Sequence, residues 1–488
     1  MMSALNRREF LKLAGTAAAL PASLLEARDA GTLVNDIHAQ LNSTRVRAII
    51  RPRSQRELIE VIRRVRRSGG KLSICGGRHS MGGQQFGTDT TLVDLRSMND
   101  VLHFDRQRGI VTVESGIEWP RLINYLVNNG RWAIAQKQTG ADALTIGGAL
   151  ASNVHGRGLT MRPIIGDVES FTLIDAEGRA IHCNREENLD RFCLAIGGYG
   201  LFGVVSSVSL RLVPRRKVRR AVEVREIDGI IAAFDDRIRS GFLYGDFQFA
   251  IDPKSDDFLR RGVFSCYQPI DDTAAIPNGQ KELSGEDWNK LLVLAHINKS
   301  EAFQRYAAYY LSTNGQVYWS DTQQLGYYVG GYHAALDRVL HEPESTEIIT
   351  EVYVPRPQLA AFMRELADDF RRHDVNVIYG TVRLIEKDDE SFLAWAKQSY
   401  ACVVFNLHMV HSQEGTDKTA DTLRRMIDYA AARDGSFYLT YHRFASARQL
   451  EACYPRFRSF LDLKRRYDPG EVFASDWYRH SKRIMQTV

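Results

Sequence analysis

"ICGGRHSMGGQQ", residues 74–85, sets one histidine among four glycines at the point where the short apolar run "KLSIC" (71–75) stops. Gly76, Gly77, Gly82 and Gly83 leave backbone amides uncovered, and consecutive amides of this kind form a concave nest for a phosphate or pyrophosphate. Taken alone, a plain loop explains the stretch as well as a phosphate site does. A second cluster, "QTGADALTIGGALASNVHGRG" (138–158), begins about 65 residues further on and also carries a histidine, His155. Two such loops suit an elongated dinucleotide clamped from two sides, although His155 by itself is equally well explained as a hydrogen-bonded core histidine. The third cluster, "IGGYGLFGVV" (196–205), holds a literal G-x-G-x-x-G at Gly198, Gly200 and Gly203. A nicotinamide-dinucleotide fingerprint needs a helix after its glycines. Here a β-branched, alternating "VVSSVSLRLV" follows, so that reading is rejected.

Outward from these clusters the chain reads as mixed helix and strand. Ser54 to Arg67 forms a helix, with Leu58, Val61, Ile62 and Val65 on one face and Ser54 with Glu57 as a capping box. "TLVDL" (91–95), "GIVTVESG" (109–116) and most of 167–213 read as strands, and "WPRLINYLVNNG" (119–130) as a helix. "SFYLTYHRF" (436–444) reads as a strand after the helix-like "TADTLRRMIDYAAARDG" (419–435). His408 and His411 have H-x-x-H spacing, but in a strand residues i and i+3 point to opposite faces, so no shared metal is expected.

The 488 residues allow two or three domains, and 44% apolar with 25% charged side chains is the composition of a globular protein. The net charge of +5 is mild, and the basic runs "RRVRR" (63–67) and "RRKVRR" (215–220) lack interleaved aromatics, so no nucleic-acid partner is expected. Six cysteines show neither CxxC nor zinc-like spacing, and no metal and no disulfide framework is expected. At the N-terminus, "NRREFLKLAGTAAALPASLL" joins Arg7-Arg8 to a short, weakly apolar run broken by Gly15 and Pro21. It is too short to span a bilayer of about 30 Å and resembles a twin-arginine export signal. That resemblance implies a periplasmic or exported protein, delivered folded by the twin-arginine machinery, or held at the membrane by an uncleaved signal.

"GGRHS" after a strand, "TIGGALASNVHGRG" and "GGYGLFGVV", in this order, resemble the FAD-binding domain of the vanillyl-alcohol oxidase and p-cresol methylhydroxylase (PCMH) family. "YPRFRSFLDLKRRYDPGEVFASD" (454–476) is similar to the tails of aldonolactone and alditol oxidases and of decaprenylphosphoryl-ribose oxidases. The resemblance implies an α+β fold. Its parts are a signal segment (1–30), a two-part FAD domain (40–215), a substrate or cap domain (216–425) and a C-terminal segment returning to the FAD domain (426–488).

It further implies FAD bonded covalently to His79, with contacts from Cys75, Gly76, Gly77, Arg78, Ser80, Met81, Gly82, Gly83 and Gln84 in the first loop. From the second come Gly140, Thr145, Ile146, Gly147, Gly148, Ser152, His155, Gly156 and Gly158, and beyond it Gly203, Val204, Val205 and Tyr438. His155, Arg383, Tyr441 and His442 are the implied catalytic candidates. Thr381 stands where a carboxylate is expected two residues before Arg383, and Tyr441 where several relatives carry a lysine. Tyr441 and His442 either take a substrate proton or only pack in their strand. The implied reaction moves hydride from a CH–OH carbon of a sugar, polyol or lactone to the flavin, with oxygen or a periplasmic carrier as final acceptor. Val154, before His155, is bulky and favours the carrier over oxygen. The alternatives are a C=C reductase, an oxidase of a lipid-linked sugar, or a flavin-binding protein that has lost catalysis.

Overall fold

The computed structural model describes residues 31–326 and 332–486, so the Arg7-Arg8 segment lies outside the described residues. The helix expected after Ser54 spans Gln55–Arg67 and buries Leu58, Val61, Ile62 and Val65. Ser54 Oγ accepts the Glu57 N–H. The Glu57 carboxylate, however, accepts the N–H of Arg53 instead of Ser54, one residue short of a reciprocal capping box. Strands Ala48–Ile50 and Leu72–Cys75, on either side of this helix in sequence, flank Thr91–Asp94 in a three-stranded parallel sheet.

A second, five-stranded antiparallel sheet follows in the order Ala180–Cys183, Val168–Ile174, Val204–Arg211, Ile110–Glu114, Val101–Asp105. Alternate residues Val111, Val113, Val208 and Leu210 turn inward, as strand periodicity requires, against Leu122, Ile123, Ile146 and Leu150 of the helices Trp119–Asn129 and Ile146–Ser152. The Ile146–Ser152 helix corrects the reading of 138–158 as a loop. Thr145 caps it through a bond from the Gly148 N–H, and Asn153, at φ 50°, ends it in the left-handed region that Asn tolerates.

The third sheet has eight strands, in the order Val317–Trp319, Lys217–Glu226, Arg261–Ile270, Tyr244–Phe249, Val377–Ile385, Tyr400–Val410, Ser345–Pro355, Ser436–Phe437. Its back face is apolar: Ile348, Val352, Val403 and Phe405 pack on Phe362, Leu366, Leu423 and Met426 of the helices Leu359–Arg372 and Gln413–Ala431. Its front face, toward the two smaller sheets, carries Asp246, Glu351 and Arg383, all buried. These three sheets and two two-stranded ribbons, Thr32–Val34 with Thr44–Val46 and Trp132–Ala133 with Val213–Pro214, with helices segregated on the faces of the larger sheets, make the α+β architecture that the sequence implies.

Residues 436–444 are not one strand. Only Ser436–Phe437 pairs. Tyr438 still donates its N–H to Glu351 O, and the chain then leaves the sheet so that Thr440 O can accept the N–H groups of both Met81 and Gly82, at 3.0 and 3.2 Å. The C-terminal segment also pairs with the first sheet, Leu72 N–H donating to Val472 O and Ala474 N–H to Leu72 O. That return is held by Asp468, which binds the buried Lys464 ammonium and accepts the N–H groups of Val472 and Phe473, each at 2.9 Å. Asp468→Ala strands a buried charge and two amides, and should cost about 3–5 kcal/mol, the usual scale for breaking a buried pair from one side. Chemical denaturation checks it: the midpoint should fall, and fall less in Lys464→Met/Asp468→Asn, where no buried charge is left.

Candidate active site

A cleft opens between the three-stranded and the five-stranded sheets. Of the residues expected to hold a cofactor, Cys75, Gly76, Gly77, Arg78, His79, Ser80, Gln84, Thr145, Gly147, Gly148, Ser152, Gly203, Val204 and Val205 line it. Two glycines are dictated by close approach. A Cβ on Gly76 meets the Thr145 side chain and one on Gly77 meets the Ala143 carbonyl, so the two glycine clusters touch only because neither residue has a side chain. Ile74, Gln85, Leu95, Leu144, Ala151, Ala195, Tyr199, Gly200 and Phe202 line the cleft without having been anticipated. All but Leu95 and Ala195 lie within the three glycine-rich stretches, and all but Gln85 and Tyr199 are purely apolar or small, with no chemistry of their own to single them out.

The remaining candidates sit off the cleft wall. Met81 and Gly82 are committed to Thr440; Gly83, at φ 78°, lies beside Asn42. Ile146 is in the core of the second sheet. Gly156 abuts Lys137 O and Gly158 abuts Met161, while Gly140 adopts φ 75°. Tyr438 donates its hydroxyl to Ser152 O at 2.8 Å and packs its ring against His155 and Trp395.

His79 reaches the cleft with its ring fixed by a second histidine, His38, whose Nε2 lies 2.8 Å from His79 Nδ1. His79 Nε2 is buried and without a protein partner. Burial holds His79 down to about 3, helped by His38, and holds His38 down to about 4. Both rings are therefore neutral near pH 7, and a neutral imidazole keeps a lone pair for bonding.

Behind the cleft the front face of the eight-stranded sheet is ordered by register. Ser265 lies opposite Asp246, Arg383 opposite Cys402, and Cys402 opposite Tyr353. Two residues along from Tyr353, and so on the same face, is Glu351. Its carboxylate accepts from Tyr353 Oη at 2.8 Å and Tyr441 Oη at 3.0 Å, and it meets His155 Nε2 at 2.8 Å and Cys402 Sγ at 3.7 Å. Burial pushes the Glu351 carboxyl up, but His155 and these hydrogen bonds outweigh it and bring it to about 2. Burial pushes the Tyr441 phenol and the Cys402 thiol well above their ordinary values.

Sequence reasoning missed Glu351. It looked for a carboxylate at position 381, where Thr381 instead donates to Phe247 O. The carboxylate comes from a strand two places away in the sheet. Lys137 was missed too. Its side chain is fully buried, paired with Asp142 at 2.6 Å, within electrostatic reach of His79 and Arg383, and held below the ordinary lysine value by that burial. Arg383 joins the same wall by donating to Thr139 Oγ1.

His442 belongs elsewhere. Its ring is stacked between Phe437 and Phe444, its Nδ1 accepts the Phe444 N–H, and the charge that bears on it is Arg424. The turn after Phe437 sends Tyr441 to Glu351 and leaves His442 between Phe437 and Phe444, with its Nε2 buried and without a protein partner.

Burial also brings His442 down to about 3. Like His38 and His79 it binds its proton more weakly folded than unfolded, where the value is about 6.5. The unfolded chain therefore takes up protons as pH falls from about 6.5 toward 4, and stability falls with it. The melting temperature should drop steadily between pH 7 and pH 5, less steeply in His442→Phe; a flat profile in the wild-type protein contradicts this.

A family model described as an FAD binding domain matches residues 46–184, and one described as D-arabinono-1,4-lactone oxidase matches residues 345–481. The chain is 25% identical over 436 residues to an L-gulono-1,4-lactone dehydrogenase of Mycobacterium tuberculosis, covering 88% of this chain and 95% of the relative. It is 32% identical over 165 residues to the L-gulonolactone oxidase of Mus musculus, 34% of this chain and 37% of that one. It is 28% identical over 203 residues to a mitochondrial L-galactono-1,4-lactone dehydrogenase of Oryza sativa, 41% of this chain and 34% of that one. The first match runs through both halves of the site, the cleft of the smaller sheets and the front face of the large one.

Proposed function

We propose, from the premise that the chain is an FAD-dependent oxidoreductase of the PCMH type near the aldonolactone oxidases and dehydrogenases, that it oxidises a CH–OH group of a sugar-derived lactone or polyol. The residues fit the cofactor: a cleft lined by the glycine-rich stretches around Gly76, Gly147 and Gly203, and the unpartnered Nε2 of His79 on its wall. FAD, when bound, supplies the hydride acceptor. A covalent link at His79 would use Nε2, because His38 occupies Nδ1.

The observation that carries the substrate class is a group of buried polar atoms without protein partners: Arg157 Nε, Asp246 Oδ1, Gln248 Oε1, Ser265 Oγ, Tyr306 Oη and Arg383 Nε. Buried polar groups of this density are costly unless something hydrogen-bonds them, and a molecule rich in hydroxyl groups does so. His155 is hydrogen-bonded at both ring nitrogens to oxygens, Gly156 O at 3.0 Å and Glu351 at 2.8 Å. These two contacts fix the ring of His155 beside Glu351. The proton of the substrate hydroxyl passes to the Tyr441 oxygen while Tyr441 gives its own to Glu351, and Arg383 orients the substrate. Mixing sugar lactones and polyols with the oxidised protein tests the reading: the true class bleaches the flavin absorbance, and bleaching by none of them removes it. Glu351→Gln should lower the bleaching rate by about 10²–10⁴-fold with flavin content unchanged. In His79→Ala the acid-precipitated protein should carry no added flavin mass.

The acceptor and the location belong to the same reading. Val154 is buried and screens the approach of oxygen, and peroxide formed per turnover should rise in Val154→Gly; equal yields rule the screen out. No helix of the described residues is long and apolar enough to cross a membrane. Export rests on Arg7-Arg8, and fractionation of Arg7→Lys/Arg8→Lys, which should remain in the cytoplasm, tests it.

A further inference from the structure

Four elements of the large-sheet region converge at a point away from the cleft. Glu347 lies on the Ser345–Pro355 strand and His408 opposite it on the Tyr400–Val410 strand, in direct register. His296 comes from the last turn of the Gly285–Ile297 helix, and His333 begins the His333–Leu340 helix. His296 Nε2 is 3.0 Å from one Glu347 oxygen and His333 Nε2 is 2.5 Å from the other. The His296 and His408 rings meet edge to face at 5.0 Å. All four side chains are largely withdrawn from solvent, at 1% for His296, 5% for His408, 9% for Glu347 and 18% for His333.

We propose that His296, His333, His408 and Glu347 form a binding site for one divalent transition-metal ion of the zinc type. Ligand atoms of His296, Glu347 and His408 already lie within 4.8 Å of one another. Three imidazoles and one carboxylate are a donor set for four-coordinate zinc, with bonds of about 2.0–2.2 Å that draw such atoms together. His408 supplies a second and independent sign. Its Nε2 donates to Glu342 at 2.8 Å, and its Nδ1 is buried with no protein partner. A ligating histidine commonly gives its other ring N–H to a carboxylate, which fixes the ring and raises its basicity; Glu342 is in that position and Nδ1 is the atom left to bind. The H-x-x-H partner, His411, takes no part, since its Nε2 contacts Thr346 Oγ1 at 3.0 Å and its Nδ1 lies 3.8 Å from Glu344.

The site joins two helices to the sixth and seventh strands of the sheet. Glu347 and Glu351 lie four residues apart on one face of one strand, about 13 Å at the usual rise per residue. The metal would therefore brace the strand that carries Glu351 without touching it.

The experiment uses the full-length protein with its flavin. As purified it should contain about one zinc per chain by elemental mass spectrometry, and after chelator treatment it should take up one Co²⁺, with the visible bands of a four-coordinate site seen against the zinc-loaded form. Restoring zinc should raise the melting temperature. His333→Asn, half-way to the surface and the variant least apt to disturb folding, should lower affinity at least tenfold, as should Glu342→Gln, while His411→Gln should leave it unchanged. Cobalt uptake below roughly a tenth of an equivalent in folded protein, or full affinity in both His333→Asn and His296→Gln, overturns the site and leaves these residues as a hydrogen-bonded cluster only. Because these readouts need no substrate, they stand or fall separately from the lactone or polyol reading.

Discussion

The Glu351 carboxylate is the constraint on which the rest of the site depends. It is buried and ionised, a state that costs several kcal/mol unless every lone pair is used. Its closest partners come from three parts of the chain: Tyr353 on its own strand, His155 within the second glycine cluster, and Tyr441 in the C-terminal segment. Removing any one leaves a charge under-satisfied in a medium where that is expensive. The carboxylate thus fixes where the front face of the large sheet sits relative to the cleft. Lys137 with Asp142 and Arg157 with Asp246 repeat the same device on a smaller scale nearby.

The two faces of the large sheet show why such a site is possible. Behind Glu351, Ile348 and Val352 sit in an apolar layer with Phe362, Leu366 and Met426, each buried side chain contributing on the order of 1.5–3 kcal/mol. That layer stabilises the sheet without any help from the front. The front is then free to carry Asp246, Glu351, Arg383 and partnerless polar atoms that would be ruinous in a core with nothing else to support it. Period-two alternation along the strands keeps the two jobs apart.

Much of the first half of the site was legible because its signals are local. Glycine clusters report close backbone approach, and the β-branched run after Gly203 rules out a helix, so the cleft residues from Cys75 to Val205 emerge from short stretches. What stayed hidden is non-local. Glu351 is an acidic residue in the apolar-looking "EIITEVYVP" and meets Cys402 and Arg383 only through the register of three strands. His296, His333 and His408 share no spacing pattern at all. The strand read at 436–444 failed for a related reason: its β-rich composition is real, but from Tyr438 onward its hydrogen bonds go to the first glycine loop and to Glu351 instead of to a ladder.

The bond from Thr440 to the Met81 and Gly82 amides has a consequence in time. The glycine loop that carries His79 is made early in synthesis, yet the carbonyl that holds its backbone lies about 360 residues later. Contacts of such sequence separation form late, after the entropy of closing the intervening chain has been met. The nest at 76–83 therefore reaches its final shape only when the C-terminal segment has docked. A chain that lacks the C-terminal segment has the loop but not the clamp.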